Sequence, residues 1–329
     1  MTETNTVQEN EENLTRLQNF PVSFFSIIMG LSGFAISWEK AGHLLKSTVF
    51  IDSLVAYGAL LAFVVMAVIY INKIIKHPDA VKAEIKHPVK LSFFPTISIG
   101  LLLLSLAMLN RFEGLSHLLW LVGTSLHFVL FLFVINSWMH HEHYKVPHIS
   151  PAWFIPAVGN VLVPIAGMHF GYAEVSWFFF SIGIMFWIIL FTVFFNRIFF
   201  HDPMPQHLVP TFFILIAPPA VGFIAYCKLN GGLDNFANFL YYIGLFLTIL
   251  LFSQFKKFAS LPFFLSWWAY SFPISAITTA SFLMYQISQK MLFAYIGSFL
   301  LFVLTVLMGV LIFKTAKAIS KKKVCVEMH

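Results

Sequence analysis

Long apolar runs, broken by short clusters of charged or turn-forming residues, repeat along the whole chain. They fall at about 21–38, 49–72, 92–110, 116–138, 152–170, 176–196, 210–228, 236–255, 262–285 and 291–313. A helix needs about 20 apolar residues to cross the hydrocarbon core, so the pattern predicts ten transmembrane helices. The expected fold is all-α integral membrane, because open sheet edges go unsatisfied in lipid and the runs lack the alternation of barrel strands. Residues 1–19 read as a polar cytoplasmic tail, 20–315 as the membrane domain and 316–329 as a basic cytoplasmic tail. The start is acidic (Glu3, Glu9, Glu11, Glu12), unlike a cleavable signal peptide, so the first run is expected to be retained.

Odd and even runs differ in kind. Prolines interrupt run 3 (Pro95), run 5 (Pro156, Pro164), run 7 (Pro218, Pro219) and run 9 (Pro273), and run 1 carries Gly30 and Gly33. Pro95, Pro156 and Pro218 are 61 and 62 residues apart, and Pro273 follows after 55, which reads as a helical hairpin repeated five times. A proline within a helix frees a carbonyl, tolerated in a membrane only where protein or a water-filled cavity satisfies it. The odd helices are therefore expected to face inward around a conduit. Ser26, Ser98, Asn160, Gly222 and Ser275, three or four residues from a breaker, are its expected lining together with Gly30, Gly33, Pro95, Pro156, Pro218 and Pro273. The competing reading is that small residues simply let helices pack closely. Even runs suit lipid, as in Trp177, Phe178, Phe179 and Phe180 at the start of run 6.

Composition narrows the class. Hydrophobic residues make up 59% of the 329 and charged residues 10%, with a mean hydropathy of +0.83. Of the twenty Lys and Arg, fifteen precede an odd run or follow an even one, and only Lys40, Lys46, Arg111, Lys228 and Lys290 lie on the opposite side. The positive-inside rule then places both termini in the cytoplasm of a cell (inner) membrane protein. The net charge of +6 is a topology signal and gives no reason to invoke nucleic acid. Cys227 and Cys325 fall on opposite faces, which excludes a disulfide between them.

Within the runs charge is scarce. Asp52, at the first turn of run 2, is the one acidic residue inside them, and no Lys or Arg lies mid-run. A cation pathway without carboxylates or carbonyl filter loops is hard to build, so a neutral or anion-tolerant passage fits better. His140, His141, Glu142 and His143 have poor spacing for a metal on one helical face and read as a polar loop, so no metal or other cofactor is expected. His127, mid-run, reads as a hydrogen-bonded packing residue, with a proton carrier as the alternative. No phosphate loop, nucleophile elbow or CxxC occurs, and nothing argues for an enzyme.

Five stretches then carry a resemblance. They are Phe20 to Leu31, Val81 to Lys90, Trp153 to Asn160, Ala217 to Val221, and Trp268 to Pro273, in register with the ten runs from residue 20 to about 315. Together they resemble the bacterial TehA and plant SLAC1 anion channel family. The resemblance implies a homotrimer, each protomer with a pore inside five inner helices ringed by five outer ones and closed by a phenylalanine on the ninth helix. That residue corresponds to Phe272 here; otherwise it would be one packing phenylalanine among 40. Ser26 and Ile28 depart from the glycine and proline frequent in bacterial relatives, and the tails lack the long regulatory segments of the plant channels. The function expected is passive conduction of small monovalent anions (chloride, nitrate) across membrane lipid. The alternative is a proton-coupled or facilitative transporter of C4-dicarboxylates such as malate, or of tellurite-type oxyanions. A carrier would need a cationic site, and none is visible in the runs.

Overall fold

The computed structural model describes residues 16–45, 50–140, 144–321 and 324–325, and every regular element among them is helical. The α-helices are α1 (Phe25–Leu45), α2 (Ile51–Lys76), α3 (Pro78–Lys86), α4 (Thr96–Met108), α5 (Glu113–His140), α6 (Phe154–Gly167), α7 (Ala173–Phe200), α8 (Ala217–Asn230), α9 (Asn235–Ser253), α10 (Phe255–Ala259), α11 (Ser271–Ser288) and α12 (Met291–Ser320). Among the described residues eight helical stretches are long and apolar enough to cross a membrane, and Pro151–Gly167 is a shorter apolar one. This is an integral membrane helical protein. α11 is less apolar because it carries Ser271, Ser275, Thr278, Thr279 and Ser281, all buried inside the protein.

Five of these helices begin in the same way, four of them at a proline. Each of α1, α4, α6, α8 and α11 is preceded by a 3-10 segment: Val22–Phe24, Lys90–Phe93, Pro151–Trp153, Gln206–Ile216 and Leu265–Tyr270. Pro95 stands immediately before α4, and Pro156, Pro218 and Pro273 fall in the first turns of α6, α8 and α11. There a missing N–H costs nothing, because first-turn amides have no intrahelical partner. The expectation that prolines interrupt the helices and free carbonyls is thus corrected for these four; among the α-helices Pro164 alone lies inside. The tighter 3-10 segments are buried (Val22, Leu91, Ala152, Phe213 and Trp268 are all core), as irregular backbone in a membrane protein must be.

Burial alternates along the chain. The stretches Val22–Leu44, Lys90–Met108 and Gln206–Asn230 bury 67%, 83% and 89% of their most apolar window, whereas α2, α5, α7, α9 and α12 bury 17%, 33%, 33%, 39% and 33%. α6 and α11 are buried along almost their whole length. The buried helices touch in a closed circuit: α1 on α4, α4 on α6, α6 on α8, α8 on α11 and α11 back on α1. Each is backed by the helix that follows it, α2, α5, α7, α9 or α12 respectively. The backing helices carry the exposed Leu61, Val129, Ile188, Phe246 and Phe302.

Polar stitches fix the two layers, which the hydrophobic effect cannot do between helices in lipid. Trp120 Nε1 donates to the Val163 carbonyl at 2.9 Å, Trp268 Nε1 to Thr315 Oγ1 at 3.0 Å, and Tyr241 and Ser281 hydroxyls lie 3.1 Å apart. At the N-terminal end of the circuit Lys73 is buried, donating to the Phe20 carbonyl at 2.8 Å and pairing with Glu84 at 3.2 Å, while Tyr70 donates to Glu84 at 2.8 Å. This ties the amphipathic α3, read in the sequence as loop, to α2 and to the start of the bundle.

α1 crosses α11 closely. A Cβ on Gly30 would fall 2.2 Å from Ser271 Oγ, and one on Gly33 2.4 Å from Ser275 Oγ. Gly30→Ala should cost about 1–3 kcal/mol by overpacking and lower the melting temperature in detergent. Gly58→Ala, where a Cβ meets nothing within 4 Å, should leave it unchanged or raised. Equal melting temperatures for the two variants would refute this account of the crossing.

Candidate functional site: a vestibule between five helices

A cavity of about 140 Å³ lies between α1, α4, α6, α8 and α11. Its wall repeats one register five times. Gly33, Ile36 and Lys40 come from α1; Leu103, Leu106 and Asn110 from α4 and the turn beyond it; Leu162, Ile165 and His169 from α6 and its turn; Val221, Ile224 and Lys228 from α8; Ala276, Thr279 and Leu283 from α11. Spacings of three and four residues put each trio on one helical face. The first two rungs are apolar apart from Thr279, and the third is polar apart from Leu283. On each helix no described lining residue precedes Gly33, Leu103, Leu162, Val221 or Phe272, so the cavity ends at the level of Phe272.

Phe272 itself is buried, with its ring edge against Gly33, where a Cβ would stand 3.4 Å from Cδ2. Beside it the wall is lightly polar. Ser37 lies within 3.2 Å of the Ser275 hydroxyl and carbonyl and 3.1 Å of Thr279 Oγ1. A volume of this size holds several waters, or a small ion with part of its hydration shell.

Of the lining predicted from sequence, Gly33 and Ser275 face this cavity, as does Phe272. The other residues are placed elsewhere. Gly30 meets Ser271 and Trp268, and a Cβ on Gly222 would point at Ile184 and Leu240, toward the backing helices α7 and α9. Ser26 is half-buried and donates to the Ser23 carbonyl at 2.7 Å. Pro95, Pro218 and Pro273 are buried at helix starts. For Gly30 and Gly222 the close-packing reading of small residues therefore describes what is seen.

Ser98, Pro156 and Asn160 belong to a polar lock around His127. His127 Nε2 is 3.1 Å from the Pro156 carbonyl and Nδ1 is 3.0 Å from Ser98 Oγ. The carbonyl can only accept, so Nε2 carries the proton and Nδ1 is left as an acceptor; the Ser98 hydroxyl, 2.9 Å from the Pro95 carbonyl as well, has one proton to share between that carbonyl and Nδ1. Asn160 Nδ2 donates to the same Pro156 carbonyl at 2.9 Å. The ring is fully buried over Gly159, where any Cβ would overlap it at 2.0 Å. His127 is thus a hydrogen-bonded packing residue joining α4, α5 and α6.

Two sequence expectations about charge need correction. α1 continues to Leu45 and so includes Glu39 and Lys40, beyond the predicted end at 38, and Lys228 remains helical in α8. Lys40 and Lys228 line the vestibule, so basic residues do reach it. The repeated register carries them, and that signal was present in the sequence once the helices are aligned by their linings. Arg111 gathers the neighbouring acids: it donates to Glu39 at 2.8 Å, to Asp52 and to Ser53 at 3.2 Å, and Asn110 also donates to Glu39 at 2.5 Å. His140 is exposed, its Nδ1 3.0 Å from the Asn136 carbonyl, and 141–143 of the histidine loop lie outside the described residues. Among the described residues no group of His, Cys, Asp and Glu is arranged to hold a metal.

A circuit of buried helices round an apolar vestibule, backed by helices with apolar outer faces, defines a polytopic membrane protein that encloses a cavity between its helices. The chain belongs to the voltage-dependent anion channel family, SLAC1, whose profile matches residues 19–316. It is similar to the S-type anion channel SLAH2 of Arabidopsis thaliana (29% identical over 274 residues, 80% of this chain and 52% of the plant protein). It is also similar to an uncharacterized transporter, MJ0762, of Methanocaldococcus jannaschii (27%, 85% and 89%) and to the tellurite resistance protein TehA homolog of Haemophilus influenzae (23%, 94% and 94%). The chain spans about half the length of the first plant relatives it matches.

The lock makes a prediction. His127→Ala should remove both hydrogen bonds and open a void over Gly159, costing about 2–4 kcal/mol and lowering the melting temperature in detergent. A variant as stable as wild type would show that the lock contributes nothing.

Proposed function

We propose that the protein is an anion channel that conducts small monovalent anions, chloride and nitrate, passively through a pore within each protomer. In this reading ten helices cross the membrane as five hairpins. The inner members α1, α4, α6, α8 and α11 form the pore wall, and the vestibule is its wider half. Five touching helices of about 10–12 Å diameter leave a hole roughly 7–8 Å wide before side chains are counted, which one aromatic ring can close. The single observation that carries the proposal is the position of Phe272, buried where the vestibule ends. An apolar ring at the narrowest point excludes ions by steric block and dewetting. The protomers assemble as homotrimers in the cell (inner) membrane, among lipid, with both termini cytoplasmic.

The alternative, a carrier of dicarboxylates or tellurite-type oxyanions, is favoured by one observation, the presence of Lys40 and Lys228 on the vestibule wall. Conduction is preferred because they stand seven residues from the rung beside Phe272, about 10 Å along the helix axis, and so do not pin an anion at the gate.

Phe272→Ala should raise basal anion current at least about tenfold, which requires only ~1.4 kcal/mol off the barrier, while Phe264→Ala should not. A well-folded Phe272→Ala protein that conducts like wild type would remove the gate. Orientation has its own check. Tags after Met1 and His329 should stay protected from impermeant reagent on intact cells, and labelling of either would overturn the topology.

A further inference from the structure

The outermost rung of the vestibule is Lys40, Asn110, His169, Lys228 and Leu283, one residue from each wall helix or its C-terminal turn. It holds two ammonium groups and no carboxylate. Neither lysine has a carboxylate within ion-pair distance among the described residues, and Lys40 lies in the field of Lys228 as well as that of Glu39. Two like charges facing one apolar cavity repel each other and gain by sharing an anion.

The acids nearby are otherwise engaged. Glu39 also lines the cavity, but Arg111 and Asn110 hold its two oxygens, and Arg111 takes Asp52 as well. Asp234, in the turn after α8, accepts from the Ala237 amide at 2.8 Å and from the Tyr226 hydroxyl at 2.7 Å, capping α9. His169 pairs with Glu113 at 3.0 Å and points a neutral or cationic ring at the rim, never an anionic one. In the sequence Lys40 and Lys228 stand out as two of the five basic residues on the side that the positive-inside rule leaves poor in them.

We propose that Lys40 and Lys228, with Asn110 as a neutral donor, form an anion-capture site at the mouth of the vestibule, recognising small inorganic anions by charge before they enter the apolar rungs. The proposal rests on the anion-conduction reading and adds the site at which that pathway concentrates its substrate. Asn110 and Lys228 are exposed at the rim, so the site raises local anion concentration without binding tightly, and with Glu39 also on the wall the effect falls short of the roughly tenfold or more of clefts lined by one sign of charge.

The test uses the purified full chain in planar bilayers, comparing wild type with the double variant Lys40→Gln/Lys228→Gln, both also in a Phe272→Ala background so that current is measurable. Lys290→Gln, a basic residue of the same side that does not line the cavity, is the control. At about 0.01 M chloride, where the Debye length is ~30 Å, unitary current through the double variant should fall about threefold to tenfold; at about 1 M, where it is ~3 Å, the difference should vanish. Lys290→Gln should match wild type at both concentrations. Equal currents at low salt, or a loss that persists at high salt, would overturn the capture site.

A second readout does not need conduction. Replacing gluconate by nitrate at constant ionic strength should raise the melting temperature of wild type and Lys290→Gln but not of the double variant. A shift retained by the double variant, or absent from wild type, counts against the site. If no protein conducts but the nitrate shift follows the lysines, the conduction reading fails and the capture site stands.

Discussion

Backbone polar groups cannot be left unpaired in hydrocarbon, and this constraint arranges everything else in the molecule. Five inner helices are entered through 3-10 segments, and each of these five segments has core residues packed inside the protein. That packing makes α1, α4, α6, α8 and α11 the inner circuit and leaves the apolar α2, α5, α7, α9 and α12 outside it. Proline follows from the same rule. Its missing amide is harmless in the first helical turn, so the prolines mark where 3-10 gives way to α and not where a helix bends.

A second consequence concerns close approach. Helices in lipid attract through packing and hydrogen bonds, and the inner circuit uses both. Gly30 and Gly33 let α1 settle against Ser271 and Ser275, while Trp120, Tyr241 and Trp268 each make one hydrogen bond between the two layers and His127 makes two. The vestibule lies between the same five inner helices, its first two rungs almost wholly apolar and its third polar.

The helical class and the inward-facing identity of the odd runs could be read from the chain, because hydropathy and proline placement both respond directly to the bilayer. Individual wall residues were much less legible. Ser98, Asn160 and Gly222 look like lining by composition, yet their faces are set by what the backing helix offers, His127 for the first two and Ile184 and Leu240 for the third. Wall positions such as Leu103, Leu162 and Val221 look like core leucine and valine, and only the common register of five helices singles them out. Lys40 was placed outside the wall because helix ends are poorly marked in sequence. α1 runs seven residues past its expected end, carrying Lys40 into the wall with it.

The central claim is that anions cross this protein passively through its own vestibule. Planar-bilayer recording of the purified Phe272→Ala protein under a chloride gradient, with pH equal on both sides, tests it directly. The account predicts a finite current whose reversal potential follows the chloride equilibrium potential and does not move when a pH gradient is imposed. Electroneutral uptake without current, or flux that appears only with a pH gradient, would contradict it.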